Sequence, residues 1–143
     1  MKDILFRAKR LDNGEWVRGG SIITFLDNGV KSFYMPQFNE KCTCEHDEIT
    51  DDILTFSDCR FHKVDPETIC QYTDITDKGG NMIWENDIVY ARCSGLSGKG
   101  VIAYEKGCLV LKDNKRQRTY SLFGEWELRV DGNKFDNQEL LEV

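Results

Sequence analysis

The chain has 143 residues, of which 40% are hydrophobic and 31% charged, the proportions of one soluble domain or of two small subdomains sharing a core. Its 25 acidic residues outnumber 19 lysines and arginines for a net charge of -6, which excludes a uniformly basic nucleic-acid binder and leaves room for a local basic patch. Collagen, coiled coil and wholesale disorder are excluded by apolar residues spread along the chain in short clusters.

The N-terminal Met1-Lys2-Asp3-Ile4-Leu5-Phe6-Arg7 meets charge before a signal-peptide core can form, and no apolar stretch approaches the roughly 18 residues that cross a bilayer. A cytoplasmic location is therefore expected. The six cysteines (Cys42, Cys44, Cys59, Cys70, Cys93, Cys108) should then stay reduced, as buried thiols or in a metal site. Further along, turn signals recur between short apolar runs: Asp12-Asn13-Gly14, Asp27-Asn28-Gly29, Lys78-Gly79-Gly80-Asn81, Glu105-Lys106-Gly107 and Asp131-Gly132-Asn133. Such turns supply positive φ at little steric cost and predict β-hairpins. Residues 22–25, 88–90, 100–104 and 108–112 alternate or are rich in β-branched and aromatic residues, as strands are.

Residues 47–56 place Ile49, Ile53 and Leu54 at helical spacing, while Thr50 and Thr55 suit a strand equally well. Asp136 is positioned to cap a single turn through Glu139 and Leu140. Asp65-Pro66 marks a boundary, because proline cannot donate to a ladder and restricts the residue before it. The expected protein is mainly β with little helix: an N-terminal β subdomain over 1–66, containing an acidic Cys/His segment over 40–66, and a C-terminal one over 67–143.

The acidity is local. Residues 40–67 hold nine acids and three bases, and the rest of the chain holds sixteen of each. The same segment carries both histidines and three of the six cysteines, as Cys42-x-Cys44-x-His46 followed by Cys59-x-x-His62. Zinc needs four such ligands in a tetrahedron, and two pairs about a dozen residues apart can supply them. Cys-x-Cys is, however, a less common half-site than Cys-x-x-Cys, and residues two apart in a strand share a face by plain packing as well. A polar loop with incidental thiols outweighs the zinc site, and no metal or other cofactor is assigned.

A second candidate is the basic run Lys112, Lys115, Arg116 and Arg118, close to Tyr104, Tyr120 and Phe123. Positive charge beside exposed aromatic faces holds single-stranded nucleic acid by phosphate neutralisation and base stacking. The competing reading is a solvated hairpin tip whose aromatics point into the core, and the acidic total favours it. Catalysis has little to stand on. The imidazoles are confined to His46 and His62, Cys70 reads as a small buried apolar residue, and no Gly-x-Gly-x-x-Gly, P-loop or His-Glu-x-x-His pattern occurs. No enzyme is expected and no catalytic residue is assigned.

The stretch Val64-Asp65-Pro66-Glu67-Thr68-Ile69-Cys70-Gln71-Tyr72-Thr73, continued by Asp77-Lys78-Gly79-Gly80-Asn81-Met82-Ile83-Trp84-Glu85-Asn86-Asp87-Ile88-Val89, resembles the signature block of the YopX family of phage and prophage proteins. Ile4-Leu5-Phe6-Arg7-Ala8, Glu15-Trp16-Val17 and the closing Gly132-Asn133-x-Phe135-x-Asn137-x-Glu139-Leu140-Leu141 are similar to it too. Asp74 and Asn86 stand where the family usually has glycine, and Asp and Asn are the residues best able to replace glycine at positive φ. The block thus reads as turn architecture, with Tyr72 and Trp84 as core aromatics and Asp87 hydrogen-bonding backbone at the start of the next strand.

The resemblance implies a two-part β protein in a bacterial host, whose C-terminal part is an SH3-like or related small barrel. It also implies a phage-encoded accessory role without an assigned activity. Binding to a protein partner or to a second copy is the expected mode. The alternative is a part in phage DNA metabolism through the basic hairpin 112–118; no membrane partner is expected.

Overall fold

The structure, a computed structural model, describes residues 4–36, 48–49, 53–56, 59–122 and 124–141. It is mainly β. The strands are β1 (Phe6–Lys9), β2 (Trp16–Gly19), β3 (Ile23–Asp27), β4 (Val30–Pro36), β5 (Glu48–Ile49), β6 (Ile53–Phe56) and β7 (Cys59–Val64). They continue as β8 (Cys70–Thr76), β9 (Met82–Trp84), β10 (Asp87–Cys93), β11 (Leu96–Glu105), β12 (Cys108–Asp113), β13 (Arg118–Ser121) and β14 (Glu127–Asn133). Helix among the described residues is limited to two single 3-10 turns, Pro66–Thr68 and Gln138–Leu141. The chain divides into two compact units, residues 3–71 and 72–143, so the division falls within β8.

In the first unit β1 pairs antiparallel with β2 and with the first two residues of β8. A second antiparallel sheet runs in the order β3-β4-β7-β6-β5. The helical option for 47–56 is therefore not taken: Glu48–Ile49 and Ile53–Phe56 pair with each other, and β6 pairs with β7. β-Branched residues at Ile49, Ile53 and Thr55 favour a pleated strand once β7 offers a ladder, and a three-turn pattern was never long enough to outweigh it. The core of this unit is Ala8, Val17, Met35 and Val64, with Phe6, Ile22, Phe33 and Ile69 packed around them. Gly19 lets β2 close on β4, for a Cβ there would lie 2.8 Å from the carbonyl oxygen of Pro36.

In the second unit the strand order is β13-β12-β11-β10-β14, every pair antiparallel. One face buries Ile83, Val89, Ala91, Ile102 and Leu111, each at most 1% exposed, with Tyr120, Trp126, Leu128 and Val130 packed against them. Each of the Ile, Val and Leu side chains removed from water is worth about 1.5–3 kcal/mol. The expected small barrel is not closed, since the sheet ends on β13 at one side and β14 at the other. The outer edge of β14 is occupied instead by the connection from β8 to β9: Lys78 N–H donates to Leu128 O at 3.2 Å and Val130 N–H to Asp77 Oδ2 at 3.1 Å. Those bonds satisfy the ladder groups that a closing β13 would need.

The hairpin signals at Asn28-Gly29 and Lys106-Gly107 fall at two-residue tips with positive φ at both positions (50° and 80°; 52° and 79°). Asp131-Gly132-Asn133, expected as a turn, lies inside β14. There Ile88 pairs with Gly132 and Val89 with Val130, which leaves Asp131 as the extra residue of a bulge. A Cβ at Gly132 would run into the side chain of Asn137, which explains a glycine without a hairpin.

Candidate functional site

The family-like block is a set of interlocking turns. Asp65 accepts from Glu67 N–H at 3.1 Å, Pro66 opens the 3-10 turn, and Thr68 Oγ1 both accepts from Lys9 N–H at 2.8 Å and donates to Asp65 O at 2.7 Å. Buried Cys70 donates its thiol to Thr68 O at 3.2 Å, in keeping with a packed strand residue. Tyr72 and Trp84 are buried with ring centroids 5.4 Å apart, and Asp87 Oδ2 accepts from Trp84 N–H at 2.8 Å. Asp74 and Asn86 hold φ of 68° and 70°, the conformation that the absent glycines would adopt.

Two of its devices escape a reading of the sequence alone. The first is Asp77, whose carboxylate accepts from Gly79 N–H (3.0 Å), Asn81 N–H (2.8 Å) and Val130 N–H (3.1 Å). Burial pushes its pKa up, yet the backbone donors of Val130, Asn81 and Gly79 and the Asn81 amide outweigh burial and hold the carboxyl below its ordinary value. The second is the closing motif. Asn133 Oδ1 accepts from Phe135 N–H and Asp136 N–H, and Asn137 Oδ1 accepts from Asn133 N–H at 3.2 Å. The expected single turn forms at Gln138–Leu141, while the Asp136 carboxylate accepts from Asn133 Nδ2 at 3.1 Å.

The basic run is a hairpin. β12 and β13 pair from Val110↔Ser121 to Asp113↔Arg118 around the tip 114–117. Lys115, Arg116 and Arg118 are exposed and carry no ion pair among the described residues, whereas Lys112 reaches Glu105 at 2.5 Å. The aromatics expected beside them are placed otherwise. Tyr120 packs on the core and edge-on to Trp126, with centroids 5.9 Å apart. The Tyr104 phenol is pushed up in pKa by burial and by the carboxylates of Glu85 and Asp74, surroundings that repel phosphate. Phe123 lies outside the described residues.

A groove of about 400 Å³ runs beside this hairpin, with Lys99, Lys112, Lys115 and Arg116 along it, Tyr90 at one side, and Leu140 and Leu141 of the last 3-10 turn as a wall. Tyr90 sits directly between Arg129 on β14 and Lys99 on β11. The Arg129 guanidinium lies 5.0 Å from the Tyr90 ring centroid and pairs with Asp131 at 2.9 Å. Neither Tyr90 nor Lys99 is near the 112–118 run in sequence; strand register brings them there.

Of the suggested zinc ligands, Cys42, Cys44 and His46 lie outside the described residues. Cys59 opens β7, and His62 is buried in β7, directly opposite Met35 on one side and Ile53 on the other. No group of three or more His, Cys, Asp or Glu side chains suited to a metal occurs among the described residues. No helix among them is long and apolar enough to cross a membrane.

These features define an all-β protein of two antiparallel-sheet units, pinned by Asp and Asn turn chemistry and carrying an exposed basic hairpin. The chain belongs to the YopX family: the family model described as YopX protein matches residues 5–142, nearly its whole length. No curated protein and no solved structure matches it.

Proposed function

We propose that the chain is a phage- or prophage-encoded accessory protein that works by binding rather than catalysis, as a module that associates with a second copy of itself. The observation that carries this reading is the β3–β4 hairpin. β3 is the end strand of its sheet, and the hairpin exposes Phe25 (41%), Leu26 (73%) and Val30 (66%). Soluble proteins usually blunt such an edge with charge, a bulge or a covering loop. An antiparallel β3–β3 pairing about a two-fold axis would satisfy the outer ladder groups of both copies and cover these side chains. The test is sedimentation velocity across a concentration series. A mass that rises above that of the 16.6 kDa chain and falls back in Leu26→Lys and Val30→Glu supports the reading, and a strict monomer at tens of micromolar refutes it.

A second reading is contact with nucleic acid through the 112–118 hairpin. It is favoured by Lys115, Arg116 and Arg118, which stand exposed without carboxylate partners among the described residues. Binding of a labelled oligonucleotide that falls with salt and is lost on neutralising these three residues supports it.

A further inference from the structure

We propose that the groove beside the basic hairpin is a subsite for single-stranded nucleic acid, in which Lys99 neutralises phosphate and Tyr90 supplies a stacking face. The proposal rests on the nucleic-acid reading of the hairpin and adds two residues from other strands to it.

Directly paired residues on neighbouring strands share a face and lie about 5 Å apart, so Arg129, Tyr90 and Lys99 form a row spanning about 10 Å across three strands. This row places an aromatic ring between two cations. On the next strand Lys112 pairs with Val101, two residues beyond Lys99, and so projects from the same face. The tip then adds Lys115 and Arg116. Four bases stand along the groove, of which Lys112 is paired with Glu105, while Lys99, Lys115 and Arg116 are opposed among the lining residues by Asp113 alone, which is buried and whose Oδ1 is already engaged by Arg116 N–H at 3.2 Å. Charge of one sign in a concave site attracts a polyanion even on a molecule of net charge -6, because at physiological salt distant acids are screened within about 8 Å.

The shape favours a single strand over a duplex. A duplex backbone is convex and would touch only the exposed tip, with its bases stacked away from the protein. A single strand can lower an unpaired base to the half-buried Tyr90 while its phosphates meet Lys99 and the tip.

The experiment is fluorescence anisotropy of the full chain with a labelled oligothymidylate and with a duplex of the same length, each across a salt series. Three to four neutralised phosphates predict a log–log salt slope of about -2 to -3 for the single strand. Lys99→Gln should weaken binding and bring that slope about 0.7 closer to zero. Tyr90→Leu should weaken binding by roughly fivefold or more with the slope unchanged, since a stacking face and no charge is lost. Lys106→Asn, a charge change at the opposite end of β11, should alter neither. No binding by the parent chain overturns the hairpin reading itself. Loss in Lys115→Gln and Arg116→Gln with Lys99→Gln and Tyr90→Leu like the parent overturns the groove and leaves the hairpin standing. Equal affinity for the duplex, insensitive to Tyr90→Leu, also overturns the groove. Circular dichroism of each variant shows whether the fold is retained, and Lys99→Gln, a change at a half-buried surface site, decides the matter if Tyr90→Leu is unfolded.

Discussion

Replacing Asp77 by alanine should cost the protein about 3–5 kcal/mol of stability, summed over the donors its carboxylate serves. Gly79 and Asn81 are exposed, so water can take over their N–H groups once the carboxylate is gone, at a net cost of about 1 kcal/mol each. Val130 is half-buried on β14, and its N–H, 3.1 Å from Asp77 Oδ2, would be left poorly satisfied at about 1–3 kcal/mol. Asp77→Asn retains one acceptor oxygen and the side-chain volume, and should lose about half as much. Urea unfolding followed by tryptophan fluorescence measures both, with far-ultraviolet circular dichroism as a second probe because a chain of two units need not unfold in one step. An unfolding free energy for Asp77→Ala within about 0.5 kcal/mol of the parent at unchanged slope would refute the view that this carboxylate pins the β14 edge.

Three further outcomes follow from the same turns and strands. The Asp77 carboxyl is held below its ordinary pKa in the fold, so its contribution is complete above the unfolded value near 3.8 and is lost as pH falls through the folded value; the stability gap between parent and Asp77→Asn should narrow below about pH 4, and a gap that stays constant into stronger acid contradicts this. Asp74 is exposed at φ 68°, so Asp74→Ala should destabilise by about 1 kcal/mol while Asp74→Gly is neutral or slightly stabilising in the same urea assay; equal effects of the two would mean that the backbone angle does not matter there. Gly100→Ala should be severely destabilising, by about 3 kcal/mol or more, because its Cβ would strike the Lys112 carbonyl between β11 and β12, and a thermal midpoint like the parent's would show that these strands can part without cost.

Much of the fold is legible wherever one residue type answers one backbone demand. Asn28-Gly29 and Lys106-Gly107 mark hairpins because two consecutive positive φ angles suit few other dipeptides, and Asp74 and Asn86 hold the positive φ expected of them from the glycines that the family resemblance implies there. Asp131-Gly132-Asn133 misleads because a bulge also takes glycine: the spacing of flanking apolar residues does not say whether the chain reverses or only gains a residue against Ile88 and Val89. The closing of the barrel is misjudged for a related reason. Which groups take the β14 edge depends on Lys78 and Asp77, some fifty residues away, and no local pattern records that pairing. The hairpin 112–118 is visible as a charge run, whereas Lys99 and Tyr90 become part of the same surface only through register. Tyr104 and Tyr120 look equivalent to Tyr90 in sequence, and one is set beside carboxylates and the other turned to the core.

The proposed association and the proposed nucleic-acid contact involve different units, β3 in the first and the groove in the second, and this separation has a measurable consequence. A dimer formed through β3 carries two grooves, so a strand long enough to reach both binds the second one intramolecularly, at an effective concentration set by the strand rather than by free protein. A strand too short to span them gains nothing. Leu26→Lys should therefore leave affinity for a short oligothymidylate unchanged and lower affinity for a long one, by an amount that disappears when the protein is diluted below the dissociation constant of its dimer. Lys99→Gln should weaken both lengths, and more steeply for the long strand, where two grooves are affected at once. If Leu26→Lys weakens short and long strands equally, the β3 hairpin touches the strand itself and the division of labour between the units is wrong. If it weakens neither while still abolishing self-association, the two grooves of a dimer cannot be reached by one strand, and self-association serves some other purpose than gripping nucleic acid.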